Sequence, residues 1–182
     1  MDLTETQISS KRIYEGRTIN FRVDQVRMPD GVTRSREIIE HRGAVAIVPL
    51  LPNGNVILVR QYRTAAQRVL LEIPAGTREP GEDIDLCALR EIVEETQYEA
   101  GKMEKLFHAF VAPGYSQELI HTFLATDLSP KSGTGDDDEF IDIVEMPLAD
   151  AIALIATGEI EDGKSIAGLL YVERMLAASP GS

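Results

Sequence analysis

Positive charge is what this 182-residue sequence lacks: 18 Lys plus Arg stand against 30 Asp plus Glu, a net charge of −12. Non-specific binding to nucleic acid or an anionic membrane needs a basic patch, so neither is expected as a partner. Cysteine is scarce as well. Cys87 stands alone, which excludes an intrachain disulfide and fits a reducing cytoplasm. No apolar run approaches the roughly 18–20 residues of a membrane span. The opening MDLTETQISSKR has neither an apolar core nor a cleavage-site pattern, so no secretory signal is expected.

What is present suits a folded core. At 43% hydrophobic, the chain is expected to form one domain, or one with a small appendage. Its charge is uneven. Residues 1–70 carry eleven basic and seven acidic side chains, residues 71–104 three and ten, and residues 136–162 ten acidic and no basic. Acidic blocks have two readings: a solvated surface, or a site for divalent cations. Residues 129–139, SPKSGTGDDDE, hold no apolar side chain and read as a loop.

Strands are predicted over residues 19–28, 38–39, 44–51, 56–60, 70–73, 106–111, 120–125 and 141–146, with a turn at Asn53-Gly54-Asn55. AVAIVPLL at 44–51 is almost continuously apolar, as in a strand buried on both faces. Helices are predicted over 85–96, 148–156 and 165–178. In the first, Leu86, Leu89 and Val93 recur at helical spacing, which predicts that they face the core, with Cys87 a small buried neighbour. Strands, helix, strands and helix in that order indicate a mixed α/β, or α+β, sandwich.

The chemistry concentrates in GTREPGEDIDLCALREIVEETQY, residues 76–98. On a helix, Glu91 and Glu95 lie about 40° apart and Glu94 about 60° to the other side of Glu91. Like charges at i,i+4 destabilise a helix by a few tenths of a kcal/mol, and Arg90 supplies one compensating charge. Clustered oxygen ligands of this kind suit Mg²⁺ or Mn²⁺. The other reading is an exposed acidic helix face.

The same stretch resembles the Nudix box. Gly76, Glu82, Arg90, Glu91, Glu94 and Glu95 stand at the box spacing, and Tyr98 takes its last apolar position. One residue departs: Gln97 stands where the family has glycine. A glycine there closes the helix in a left-handed conformation. Glutamine in that conformation costs about 1–2 kcal/mol; otherwise the turn differs.

Outside the box, VRQYR (59–63), LEIPAG (71–76), APGYSQE (112–118) and the position of Pro113 resemble the ADP-ribose pyrophosphatase subfamily over nearly the whole chain. The resemblance implies a Nudix-type α/β/α sandwich with a small N-terminal antiparallel sheet. Residues 1–43 would form a β-strand subdomain serving dimerisation and the adenosine side of the site, and residues 44–182 the hydrolase domain. It implies a cytoplasmic homodimer that uses Mg²⁺, or Mn²⁺, to hydrolyse ADP-ribose to AMP and ribose 5-phosphate. The implied metal ligands are the Ala75 carbonyl, Glu91, Glu94 and Glu95. Gly76, Glu82 and Arg90 brace the box. Arg63 binds the diphosphate or adenosine, Arg36 and Glu37 lie near the adenosine, and Glu118 contacts the terminal ribose. Glu139 orients or deprotonates the attacking water, with Glu94 also counted as catalytic. A nucleotide sugar is the alternative substrate, and a non-catalytic ADP-ribose sensor is a third reading. His41, His108 and His121 read as structural, while Tyr14, Phe21 and Tyr115 are candidates for stacking on adenine or for packing.

Overall fold

The computed structural model describes residues 2–133 and 140–178. Ten strands and three helices occur among them, in the order β1 (Thr6–Glu15), β2 (Ile19–Arg27), β3 (Thr33–His41), β4 (Ala44–Pro49), β5 (Asn55–Arg63), β6 (Arg68–Glu72), β7 (Ala75–Thr77), α1 (Ile84–Thr96), β8 (Tyr98–Phe110), β9 (Leu119–Pro130), β10 (Ile141–Pro147), α2 (Leu148–Thr157) and α3 (Gly163–Ala178). The chain divides into two compact units. One is the described part of Met1–Gly43 with Ala109–Leu119; the other is Ala44–His108 with the described part of Ile120–Ser182.

The first unit is built on an antiparallel sheet ordered β1-β2-β3. β1 is absent from the predicted strands because its pattern is broken. Ile8 and Ile13 are its aliphatic residues, five positions apart, which a period of two places on opposite faces. The pairing with β2 shifts register twice, between Gln7 and Ser9 and between Arg12 and Tyr14, and such bulges erase alternation. All ten β1 residues are exposed. The APGYSQE segment adds to the far edge: Ile39 N–H donates to Tyr115 O at 2.8 Å, and Gln117 N–H to Ile39 O at 2.9 Å.

The second unit holds two sheets, ordered β10-β5-β6 and β7-β4-β9-β8, with β4 and β9 parallel. β4 is buried along its whole length, as its apolar run predicts. Alternation along β4 serves two cores. Val45 and Ile47 pack with Cys87, Ala88 and Ile92 of α1. Ala44, Ala46 and Val48 pack with Leu169 and Val172 of α3 and Ala151 of α2. Helices thus cover both faces of the strand, and the unit is a mixed α+β sandwich. At Gly168 on α3 an added Cβ would stand 3.0 Å from Ile73 Cδ1 and 3.1 Å from Val48 Cγ2, so glycine permits the close helix–sheet approach. Among the described residues no helix is long and apolar enough to cross a membrane.

Candidate active site

The site candidate grows from the strand–loop–helix stretch β7–α1. β7 pairs with buried β4, Val45 opposite Gly76 and Ala46 opposite Ala75. The following loop turns at Gly81, whose φ of 80° is in the left-handed region that favours glycine. Glu82 closes the loop on itself: its N–H donates to Glu79 O at 3.1 Å, and its carboxylate accepts Glu79 N–H at 2.9 Å. Asp83 then caps α1, accepting Asp85 N–H at 2.9 Å, a standard remedy for unpaired amides at a helix start.

Arg90 gathers the loop and the helix. Its Nε and Nη2 donate to the two oxygens of Glu82 at 2.9 and 3.0 Å. Its Nη1 lies 2.7 Å from both Glu91 Oε1 and Glu94 Oε2. The Arg90 guanidinium beside it holds the Glu82 carboxyl down at about 2, and that pairing raises Arg90 itself above its usual range. Burial, with the Glu82 and Glu91 carboxylates added, pushes the Cys87 thiol up to about 12. Cys87 is therefore an inert packing residue, as its place in the apolar arc predicts.

The face of α1 that meets the sheet is only partly the expected one: Val93 packs against the cluster of Val45, Ile47 and Ile92, but the two leucines do not. Leu86 and Leu89 are 62% and 41% exposed, and the helix buries Cys87, Ala88, Glu91, Ile92, Glu95 and Thr96 instead. Closeness explains the exchange. Cys87 and Ala88 are small enough to let α1 settle on β4 and β7, where leucine would hold it off. Two of the three glutamates therefore lie on the core-facing side, with partners that permit it. Glu95 Oε2 accepts Ala75 N–H at 2.9 Å. Glu91 lies so close over Gly76 that a Cβ there would stand 1.9 Å from its carboxyl carbon; this glycine is a seat for a carboxylate. Glu94 is on the more open side of the helix.

Among the described residues no three His, Cys, Asp or Glu side chains converge as a ready-made metal cluster. The donor set still fits a divalent cation such as Mg²⁺. It consists of hard oxygens, the Gly76 seat admits a carboxylate where any other residue would block it, and each carboxylate offers two oxygens. Gln97 adopts the left-handed conformation, φ 60° and ψ 31°, and its N–H donates to Val93 O at 3.0 Å. The helix thus ends as the family's glycine would end it, with a glutamine bearing the strain.

Arg63, at the end of β5, donates through Nε and Nη2 to Glu72 at 3.0 and 2.8 Å. Glu72 also receives Lys164 Nζ from the start of α3. Neither Glu72 nor Lys164 stands out in the sequence; the sole local hint is a charged residue inside LEIPAG. In the first unit, Arg36 is engaged with Glu5 at 2.6 and 2.9 Å, and Glu37 beside it is exposed. Glu118 lies 3.8 Å from His41 Nδ1. That nitrogen also accepts Gly43 N–H at 3.2 Å. The rings of His108 and His121 are tilted by 43° with centroids 5.5 Å apart. Tyr14 and Tyr115 are exposed. Glu139 lies outside the described residues.

Comparison with known proteins adds four findings. A model of the NUDIX domain family matches residues 40–169. The chain is 38% identical over 173 residues to an ADP-ribose pyrophosphatase of Bacillus subtilis (strain 168), covering 94% of each. It is 37% identical over 166 residues to a GDP-mannose pyrophosphatase of Klebsiella pneumoniae, covering 85% of this chain and 83% of that one. Among solved structures, an ADP compounds hydrolase aligns with a TM-score of 0.86 and 26% identity over 98% of this chain and 97% of its own.

Proposed function

This chain belongs to the NUDIX domain family and is a hydrolase of that family, and on that premise we propose that it cleaves the diphosphate of ADP-ribose to AMP and ribose 5-phosphate. The observation that carries this reading is the 38% identity, across 94% of both chains, to a protein named ADP-ribose pyrophosphatase.

In this reading the Ala75 carbonyl and the carboxylates of Glu91, Glu94 and Glu95 hold Mg²⁺ or Mn²⁺. The cation, when bound, neutralises the phosphates and lowers the pKa of a bound water. The rest falls to the chain's own residues. The Ala75 N–H fixes Glu95, and Gly76 leaves room for Glu91. Glu82 and Arg90 hold the loop to the helix. Arg63 binds the diphosphate, a task suited to a planar cation with several donors. Arg36 and Glu37 are assigned to the adenosine and Glu118 to the terminal ribose. Glu139 is assigned as proton acceptor for the attacking water, with Glu94 as a further catalytic carboxylate; the role of Glu139 rests on the resemblance alone. The test is turnover of ADP-ribose at saturating Mg²⁺ with product analysis. Glu95→Gln is expected to lose at least about a hundredfold in kcat, and a near wild-type rate overturns the ligand assignment.

A nucleotide sugar is the second reading, favoured by the identity to a GDP-mannose pyrophosphatase. A panel of nucleoside diphosphate derivatives separates the two by kcat/KM. A homodimer through residues 1–43 is also proposed, supported by the exposed apolar residues Ile8, Ile13 and Tyr14 on β1. Light scattering tests it, and a monomer mass refutes it. The buried free thiol of Cys87 accords with the proposed cytoplasmic location.

A further inference from the structure

The assigned chemistry uses neither His108 nor His121, which sit together on the four-stranded sheet of the second unit. β8 and β9 are neighbours there, and the two ring centroids are 5.5 Å apart. Side chains alternate along β9, so His121 shares the face of Phe123 and Ala125, which pack with α1. His121 is half-buried and His108 exposed, and β8 is the outer strand, so solvent reaches the pair at the rim of the sheet. Among the described residues neither imidazole makes a hydrogen bond or an ion pair. Burial, then His108, Lys105 and Arg78, hold His121 below the usual histidine range, with Asp85 opposing them. Its ring is thus neutral at pH 7, the form that binds metals.

Two imidazoles with unengaged nitrogens are the start of a metal site. A bond of about 2.1 Å from ring nitrogen to zinc puts the ion about 3.2 Å from the ring centroid, so two imidazoles on one tetrahedral ion have centroids about 5.2 Å apart. The observed 5.5 Å is close to that spacing. The surroundings decide which ion. Lys105 is matched by Asp85 at 2.8 Å, but Arg78 adds a positive charge, and neutral rings offer none to offset it. A hard cation such as Mg²⁺, which is held by charge and oxygen ligands, gains nothing here. A borderline ion is held by nitrogen donation itself. We propose that His108 and His121 form an accessory site for a borderline transition-metal ion of the Zn²⁺ type, distinct from the carboxylates assigned to Mg²⁺. The two histidines supply two ligands and water the rest.

The test is calorimetric titration of the untagged protein with Zn²⁺ in excess Mg²⁺, which fills the carboxylate site. Wild type is expected to bind one Zn²⁺ under these conditions. Losing a residue that merely supports a metal ligand costs about 10–100-fold in affinity. His108→Ala, which removes a ligand, is therefore expected to weaken Zn²⁺ binding at least about tenfold. Its melting temperature is expected to stay within about 2 °C of wild type, because the position is exposed. With Cu²⁺ in place of Zn²⁺, electron paramagnetic resonance is expected to show two nitrogen ligands in wild type and one in His121→Gln. Equal Zn²⁺ affinity in wild type and His108→Ala overturns the inference, as does an absence of Zn²⁺ uptake by wild type. Binding that is lost in Glu95→Gln and kept in His108→Ala overturns it as well, since the ion then sits on the carboxylates. If His121→Gln fails to fold, His108→Ala carries both comparisons. None of these readouts uses ADP-ribose, so the site stands or falls apart from the proposed reaction.

Discussion

Gln97 holds a conformation its side chain disfavours, at the helix end the family closes with glycine. Gln97→Gly removes a strain of about 1–2 kcal/mol and returns part of it through the freer unfolded chain. A net gain of about 1 kcal/mol is expected, read as a melting temperature higher by about 2–4 °C. Divalent-cation affinity is expected to stay within about twofold of wild type, because no assigned ligand changes. Gly76 is the opposite case. Its φ requires nothing special, but Glu91 occupies the space of a side chain. Gly76→Ala is therefore expected to lower kcat by about a hundredfold, the scale of a displacement near 1 Å in an active site. A measured loss below about threefold would show that Glu91 moves aside at little cost.

At the scale of elements, α1 separates what a sequence shows from what it hides. The position of the helix and its box residues were legible, because charge spacing and capping are local. Which face is buried was not. Periodicity ranks residues by hydrophobicity, and by that measure Leu86 and Leu89 outrank Cys87 and Ala88; the structure ranks them by how near the helix must come. Ile92→Ala is accordingly expected to cost about 2–4 kcal/mol of stability, and Leu86→Gln less than about 0.5, as measured by denaturant unfolding. The ionic staple at the helix start is pH-dependent. Glu82 sits at about 2 when folded, against an ordinary 4.5. Its contribution is whole above about pH 4.5 and fades as pH falls toward 2. The gap in melting temperature between wild type and Glu82→Gln is thus expected to be constant from pH 7 to 5 and to narrow below that. Two other features escaped for stated reasons. The bulges of β1 scramble its alternation, and Glu72 meets Lys164 across 92 residues of chain, a distance no spacing rule spans.

For the whole molecule, the net charge of −12 resolves into different kinds of acid. Glu82, Glu91 and Glu94 surround one arginine, and Glu95 holds the first amide of β7. Asp162, at the end of the second acidic block, belongs with Lys164. These five of the 30 acids are therefore held by partners within the fold and are not plain solvated surface. The topology carries one more consequence. β4, the innermost strand, pairs Ala44 with Ile120 and Pro49 with Ala125, and β5 pairs Gln61 with Ile141. Neither partner is available until most of the polypeptide has been made. The central sheet must be assembled late, after long segments have found each other, so refolding from denaturant should take milliseconds to seconds. Until then β4 has only β7 and β5 only β6 beside it, the second edge of each apolar strand stands unpaired, and it is in that interval that the chain is most exposed to aggregation.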